Sequence, residues 1–128
     1  MMKKISIQSH RRTEFIDITD LVRAELKDLG LRDGLVTVYV PHTTAGVTIN
    51  EHADPDVAAD LGNILERMVP WENHYRHGEG NSAAHMKASL MGSSLQVLVE
   101  AGHLCLGTWQ GIFFCEFDGP RSREVWIQ

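Results

Sequence analysis

Cysteine is scarce: Cys105 and Cys115 are the only two in 128 residues, and neither belongs to a CxxC pair. That excludes a disulfide scaffold and a thiolate zinc knuckle, and it predicts two buried thiols in a reducing compartment. Long apolar runs are missing too. No stretch approaches the ~20 apolar residues that span a bilayer. The opening MMKKISIQSHRR has no apolar segment of signal-peptide length, so a cytoplasmic protein without membrane contact is expected. Positive charge is in deficit, with 12 Lys+Arg against 17 Asp+Glu and a formal net charge of −5. A broad phosphate-backbone surface is therefore excluded, and no nucleic-acid partner is expected. Repeats, low-complexity tracts and linkers are absent, so residues 1–128 form one domain.

What is present is histidine, seven of them, on a chain with alternating apolar patterning. Ile5 and Ile7, then Phe15, Ile16 and Ile18, predict two short strands. Thr19 is placed to cap a helix over about 20–29, which Gly30 stops. Leu35–Val40 and Gly46–Asn50 read as strands. Asp54 and Pro55 mark the start of a helix whose stripe is Val57, Leu61, Ile64, Leu65 and Met68. Ser82 is placed to cap a shorter helix to about Leu90, with Gly92 as its stop. Strands over 95–100, 103–106, 109–118 and 123–127 complete the chain. Strands and helices do not alternate regularly, so the expected fold is α+β. It is mainly an antiparallel, jelly-roll-like β-sandwich with two to three flanking helices.

Three histidines sit where chemistry can use them. His42 ends a buried strand; alone, such a residue is more often structural. His77 lies in the Gly78-x-Gly80 loop and His85 one turn inside the next helix. Loop and helix start together expose N–H groups that favour an anion, although a plain flexible turn is the commoner reading of the glycines alone. Convergence of His42, His77 and His85 would create a three-nitrogen site with an open position, suited to Zn²⁺ first and Mg²⁺ second. Glu116, in a strand of aromatics, needs a cation, a metal or a proton; an ion pair with Arg121 or Arg123 is the plainer alternative. Alternation places Trp109, Phe113, Cys115 and Phe117 on the core face of that strand. Arg121 in the following turn could instead hold a phosphate.

The strings HTTAGVTINEHADPDV, VPWENHYRHGEGNSAAHMKASLMGSS and LGTWQGIFFCEFDGPRSREV resemble the YjbQ family, called secondary thiamine-phosphate synthases. The resemblance runs from about residue 5 to 127. It implies a homotrimer, a metal near the histidines, and a low activity joining a pyrimidine diphosphate to a thiazole phosphate. The family's pattern falls on His42, Asn50, Glu51, His77, Glu79, Asn81, His85, Gln110, Glu116 and Arg121. On this reading His42, His77 and His85 hold the metal. Asn50, Asn81, Ser82, Gln110 and Arg121 bind the phosphorylated substrate. Glu116, Glu79 and His85 are catalytic. Two other functions fit the same residues: a metal-dependent hydrolase of a small metabolite, with Glu116 or Glu79 as base, and a non-enzymatic trimeric protein that binds a metal or anion.

Overall fold

The computed structural model describes all 128 residues. Its strands are β1 (Lys3–Gln8), β2 (Glu14–Asp17), β3 (Gly34–Tyr39), β4 (Ala45–Glu51), β5 (Ser94–Glu100), β6 (His103–Leu104), β7 (Gln110–Glu116) and β8 (Ser122–Ile127). Its helices are α1 (Thr19–Asp28), α2 (Pro55–Met68) and α3 (Ser82–Met91). The fold is α+β with two antiparallel sheets. One has the order β1-β8-β3-β5-β6; the other is β2-β7-β4.

The three-stranded sheet is the middle layer. Ile112 and Phe114 of β7 face the larger sheet and join Val36, Val38, Val97, Val125 and Ile127 in the main core. Phe113 and Cys115 point the other way, joining Leu65 of α2 and Ala84 and Ala88 of α3 in a second cluster. Both faces of β7 are therefore core, whereas alternation alone suggested one. Burying the thiol of Cys115 pushes its pKa far above the ordinary range. Cys105 is exposed, against the expectation of two buried thiols.

Local chemistry explains the element ends. Asp54 caps α2 by accepting from the Asp56 N–H at 2.9 Å, and Pro55 opens the helix where no N–H is needed. At α1 the cap position falls on Ile18. Thr19 cannot serve there, because its hydroxyl donates to Asp17 (2.6 Å) and accepts from the Ile112 N–H (2.9 Å). Asn81, not Ser82, occupies the cap position of α3. Gly46 lies where α3 meets β4: a Cβ there would stand 2.7 Å from the Gly92 carbonyl oxygen. Of the α2 stripe only Leu65 is buried, while Ile64 and Met68 remain exposed. No helix is long and apolar enough to cross a membrane.

Candidate functional site

The Gly119–Pro120 turn between β7 and β8 packs against residues 9–12, which follow the N-terminal strand, and this corner collects several of the polar side chains singled out above. Glu116 ends β7 fully buried. Arg123 donates to it through Nε (2.8 Å) and Nη2 (2.5 Å), Ser9 Oγ donates at 2.8 Å, and the Asp118 N–H at 3.0 Å. Arg123 also donates to Thr44 Oγ1 at 2.8 Å. Burial would raise the Glu116 pKa, but the hydrogen bonds from Arg123, Asp118 and Ser9, with the Arg123 charge, outweigh it and hold it below the ordinary value. Both carboxylate oxygens are thus committed. Glu116 is the anchor of Arg123, the plainer of its two readings, and has no lone pair directed at a reactant.

Beyond Glu116 the network opens to solvent through Asp118. Its Oδ2 accepts from Asn81 Nδ2 at 2.8 Å and from Arg121 Nη2 at 2.9 Å. One oxygen thereby brings the Arg121 guanidinium beside the start of α3. Asn81 is buried, and its Oδ1 has no partner. The preceding turn closes when the Gly80 N–H donates to the His77 carbonyl at 3.1 Å, with Gly80 at φ 75°. This turn sets the His77 ring edge to face with His85, centroids 5.4 Å apart. His77 Nε2 is 3.9 Å from Glu79, too far for a hydrogen bond. His77, Glu79, Asn81, Ser82, His85 and Arg121 therefore share one ledge, with two imidazoles open to a ligand.

His42 does not join them. Its Nε2 accepts from the Glu124 N–H at 2.9 Å, which ties the ring to β8. Burial, and then the Arg123 charge, lower its pKa and keep it neutral. No three His, Cys, Asp or Glu side chains stand close enough together to hold a metal ion. The expected zinc centre on His42, His77 and His85 is therefore corrected: the donor set does not fit Zn²⁺ or Mg²⁺. Asn50 and Gln110 also lie apart. They sit at the far end of the β4–β7 pair, where Asn50 faces Gly111 and Glu51 faces Gln110. At about 3.3 Å per residue that is roughly 20 Å from Glu116. Asn50 Oδ1 accepts its neighbour's N–H, and Gln110 Oε1 accepts from Gly107.

The sequence reading passed over three features. Asp118 is the joint between Asn81 and Arg121, Lys87 is buried against Glu66 at 2.6 Å, and His52 pairs with Asp17 at 2.8 Å. Only the first had a usable signal, an Asp in an Asp-Gly-Pro-Arg turn; the others join residues far apart in sequence.

Comparison with known proteins agrees with this fold. The family described as "UPF0047 protein YjbQ-like" matches residues 3–128. "UPF0047 protein YugU" of Bacillus subtilis is 54% identical, over 100% of this chain and 98% of that one. "UPF0047 protein MJ1081" of Methanocaldococcus jannaschii is 47% identical, over 100% and 93%. A crystal structure from Clostridium acetobutylicum, described as an uncharacterized conserved protein of the yjbq/upf0047 family, superposes with a TM-score of 0.96 at 52% identity, covering 98% of each chain. None of these descriptions names a thiamine-phosphate synthase. With no metal site to neutralise a diphosphate, the expected thiamine-phosphate synthase, a transferase, is corrected, and the metal-dependent alternatives go with it. The chain belongs to the YjbQ-like UPF0047 family.

Proposed function

We propose that this UPF0047 chain is an enzyme that binds a small phosphorylated molecule on the α3 ledge and moves a proton on it through His77 and His85. The carrying observation is the imidazole pair, 5.4 Å apart. Two such rings supply an acid and a base near neutral pH without a metal. The start of α3, Ser82 and the Arg121 guanidinium offer donors to a phosphate beside them. Asn81, buried at that helix start with an unpartnered oxygen, adds an acceptor. Glu79 stands 3.9 Å from His77 Nε2, beside the reacting groups.

The test is a panel of phosphorylated metabolites incubated in D₂O and followed by ¹H and ³¹P NMR. Deuterium uptake or bond cleavage should appear for at least one compound, with a bell-shaped pH dependence. His77→Ala and His85→Ala should each cost about 10²–10⁴-fold in rate. No change in any compound, or full activity in the double variant, overturns this reading.

A homotrimer goes with the proposal. Leu35, Tyr39 and Leu98 are exposed on the outer face of the larger sheet, a surface that one copy leaves uncovered. Light scattering should give three times the chain mass; a monomer would refute it. A cytoplasmic location also belongs here, because two free thiols suit a reducing compartment and phosphorylated metabolites are retained there.

A further inference from the structure

A second cavity lies away from the ledge. It is a cleft of about 760 Å³ between α2 and the β2–β7–β4 sheet. Its floor is apolar, built from Phe15 and Phe113 in edge-to-face contact at 6.4 Å. Its helical wall is cut back to Ala58, Ala59 and Gly62, which leaves room above the rings.

One end of the cleft is acidic, and the other sets two guanidinium groups beside Glu14 and Glu66. Beside the first turn of α2 stand Asp17, Glu51 and His52. Asp17 Oδ1 accepts from the Thr19 N–H (3.0 Å) and hydroxyl (2.6 Å), while its Oδ2 meets His52 Nδ1 at 2.8 Å. The ring is fixed from behind as well. A Cβ on Gly111 would stand 2.4 Å from it, so only glycine leaves this seat open. With Nδ1 turned to Asp17, Nε2 is the ring atom left for a ligand. Toward the other end of α2 stand Arg11 and Arg12. Their ion pairs are long, 3.9 Å to Glu14 and 3.6 Å to Glu66, and Glu66 is already held by Lys87 at 2.6 Å. Arg12 lies over the Trp71 ring at 4.3 Å, which fixes its direction. Pro55 and Glu66 bound this stretch, about 16 Å along the helix axis.

We propose that this cleft is a second binding site, for an elongated small zwitterion with an apolar body. Its ammonium group lies against Glu51 and donates to His52 Nε2. Its carboxylate meets Arg11 and Arg12. Its methylene chain crosses Phe15 and Phe113. The site is independent of the α3 ledge and uses none of the residues given roles there.

Isothermal titration of the intact protein with 6-aminohexanoate, hexanoate and hexylamine tests the proposal. The zwitterion should bind saturably, with a Kd of about 1 mM or tighter. Each singly charged probe should be at least about tenfold weaker, the equivalent of ~1.4 kcal/mol. Arg12→Gln and Asp17→Asn should weaken the zwitterion by a similar factor, and Lys4→Gln, on the far sheet, should not. Glu51→Gln changes charge without shape, so it keeps the test decisive should Arg12→Gln lose its Trp71 contact and unfold. Absence of saturable binding, equal affinity for the three probes, or unchanged affinity in Glu51→Gln overturns the assignment. Loss of the ledge activity in His85→Ala with zwitterion binding intact would show that the two sites fail separately.

Discussion

Glu116 and the His77–His85 pair are joined through Asp118, yet they are built on opposite rules. Around Glu116 every oxygen has its donor and water is excluded. At the ledge the rings meet edge to face, and the nearest carboxylate to His77 is 3.9 Å away. The first region gains rigidity from complete pairing; the second keeps its polar atoms for something else. A satisfied buried network fixes geometry, while an unsatisfied exposed one leaves free energy for a ligand. In the 760 Å³ cleft the two rules meet at a single end, where Asp17 pins His52 beside Glu51.

Breaking the closed region should give the largest effect. Glu116→Gln removes the charge that Arg123 faces in a buried pair, and unfolding by urea should show a loss of about 3–5 kcal/mol. Gly46→Ala presses a methyl group to 2.7 Å from the Gly92 carbonyl. Overpacking there should cost about 1–3 kcal/mol, read from the same urea curves. Acid should then single out the same carboxylate. The Glu116 pKa is lowered by folding, so its stabilisation is present above the ordinary Glu value of ~4.3 and is lost as pH falls through the lower folded value. Thermal melts between pH 5 and about 2 should show a shallower acid loss in Glu116→Gln than in wild type. His42, whose pKa is also lowered, adds a milder loss as pH falls below ~6.5. The smallest change in stability belongs to the open region. His85→Ala should shift it by no more than about 0.5 kcal/mol while slowing turnover about 10²–10⁴-fold in the D₂O assay. A large destabilisation there would erase the distinction between the two regions.

Much of the fold was legible because local rules and tertiary needs agreed. The Asp54-Pro55 start of α2 and the Gly92 stop of α3 fall where capping chemistry puts them. Most of the strands follow the β-branched and aromatic runs, the two-residue β6 excepted. The failures share one cause, which is partners distant along the chain. Alternation in β7 marked the Phe113–Cys115 face as core but could not reveal that the larger sheet covers the Ile112–Phe114 face as well. Thr19 was recruited by Asp17 and Ile112 instead of capping. Glu116 chose Arg123 over Arg121, a choice set by strand pairing and burial. The histidines were legible as residues but not as a group, since His42 is claimed by the Glu124 amide from a strand 82 residues later.

Asp118 Oδ2 holds two donors at once, Asn81 and Arg121. A ligand anion reaching that guanidinium therefore arrives as a competitor and not as an addition. Capture becomes a partner exchange in which the displaced carboxylate keeps its grip on the amide. Such an exchange discriminates by the shape of the incoming oxygens more than by their charge, because the charge is already matched before anything binds.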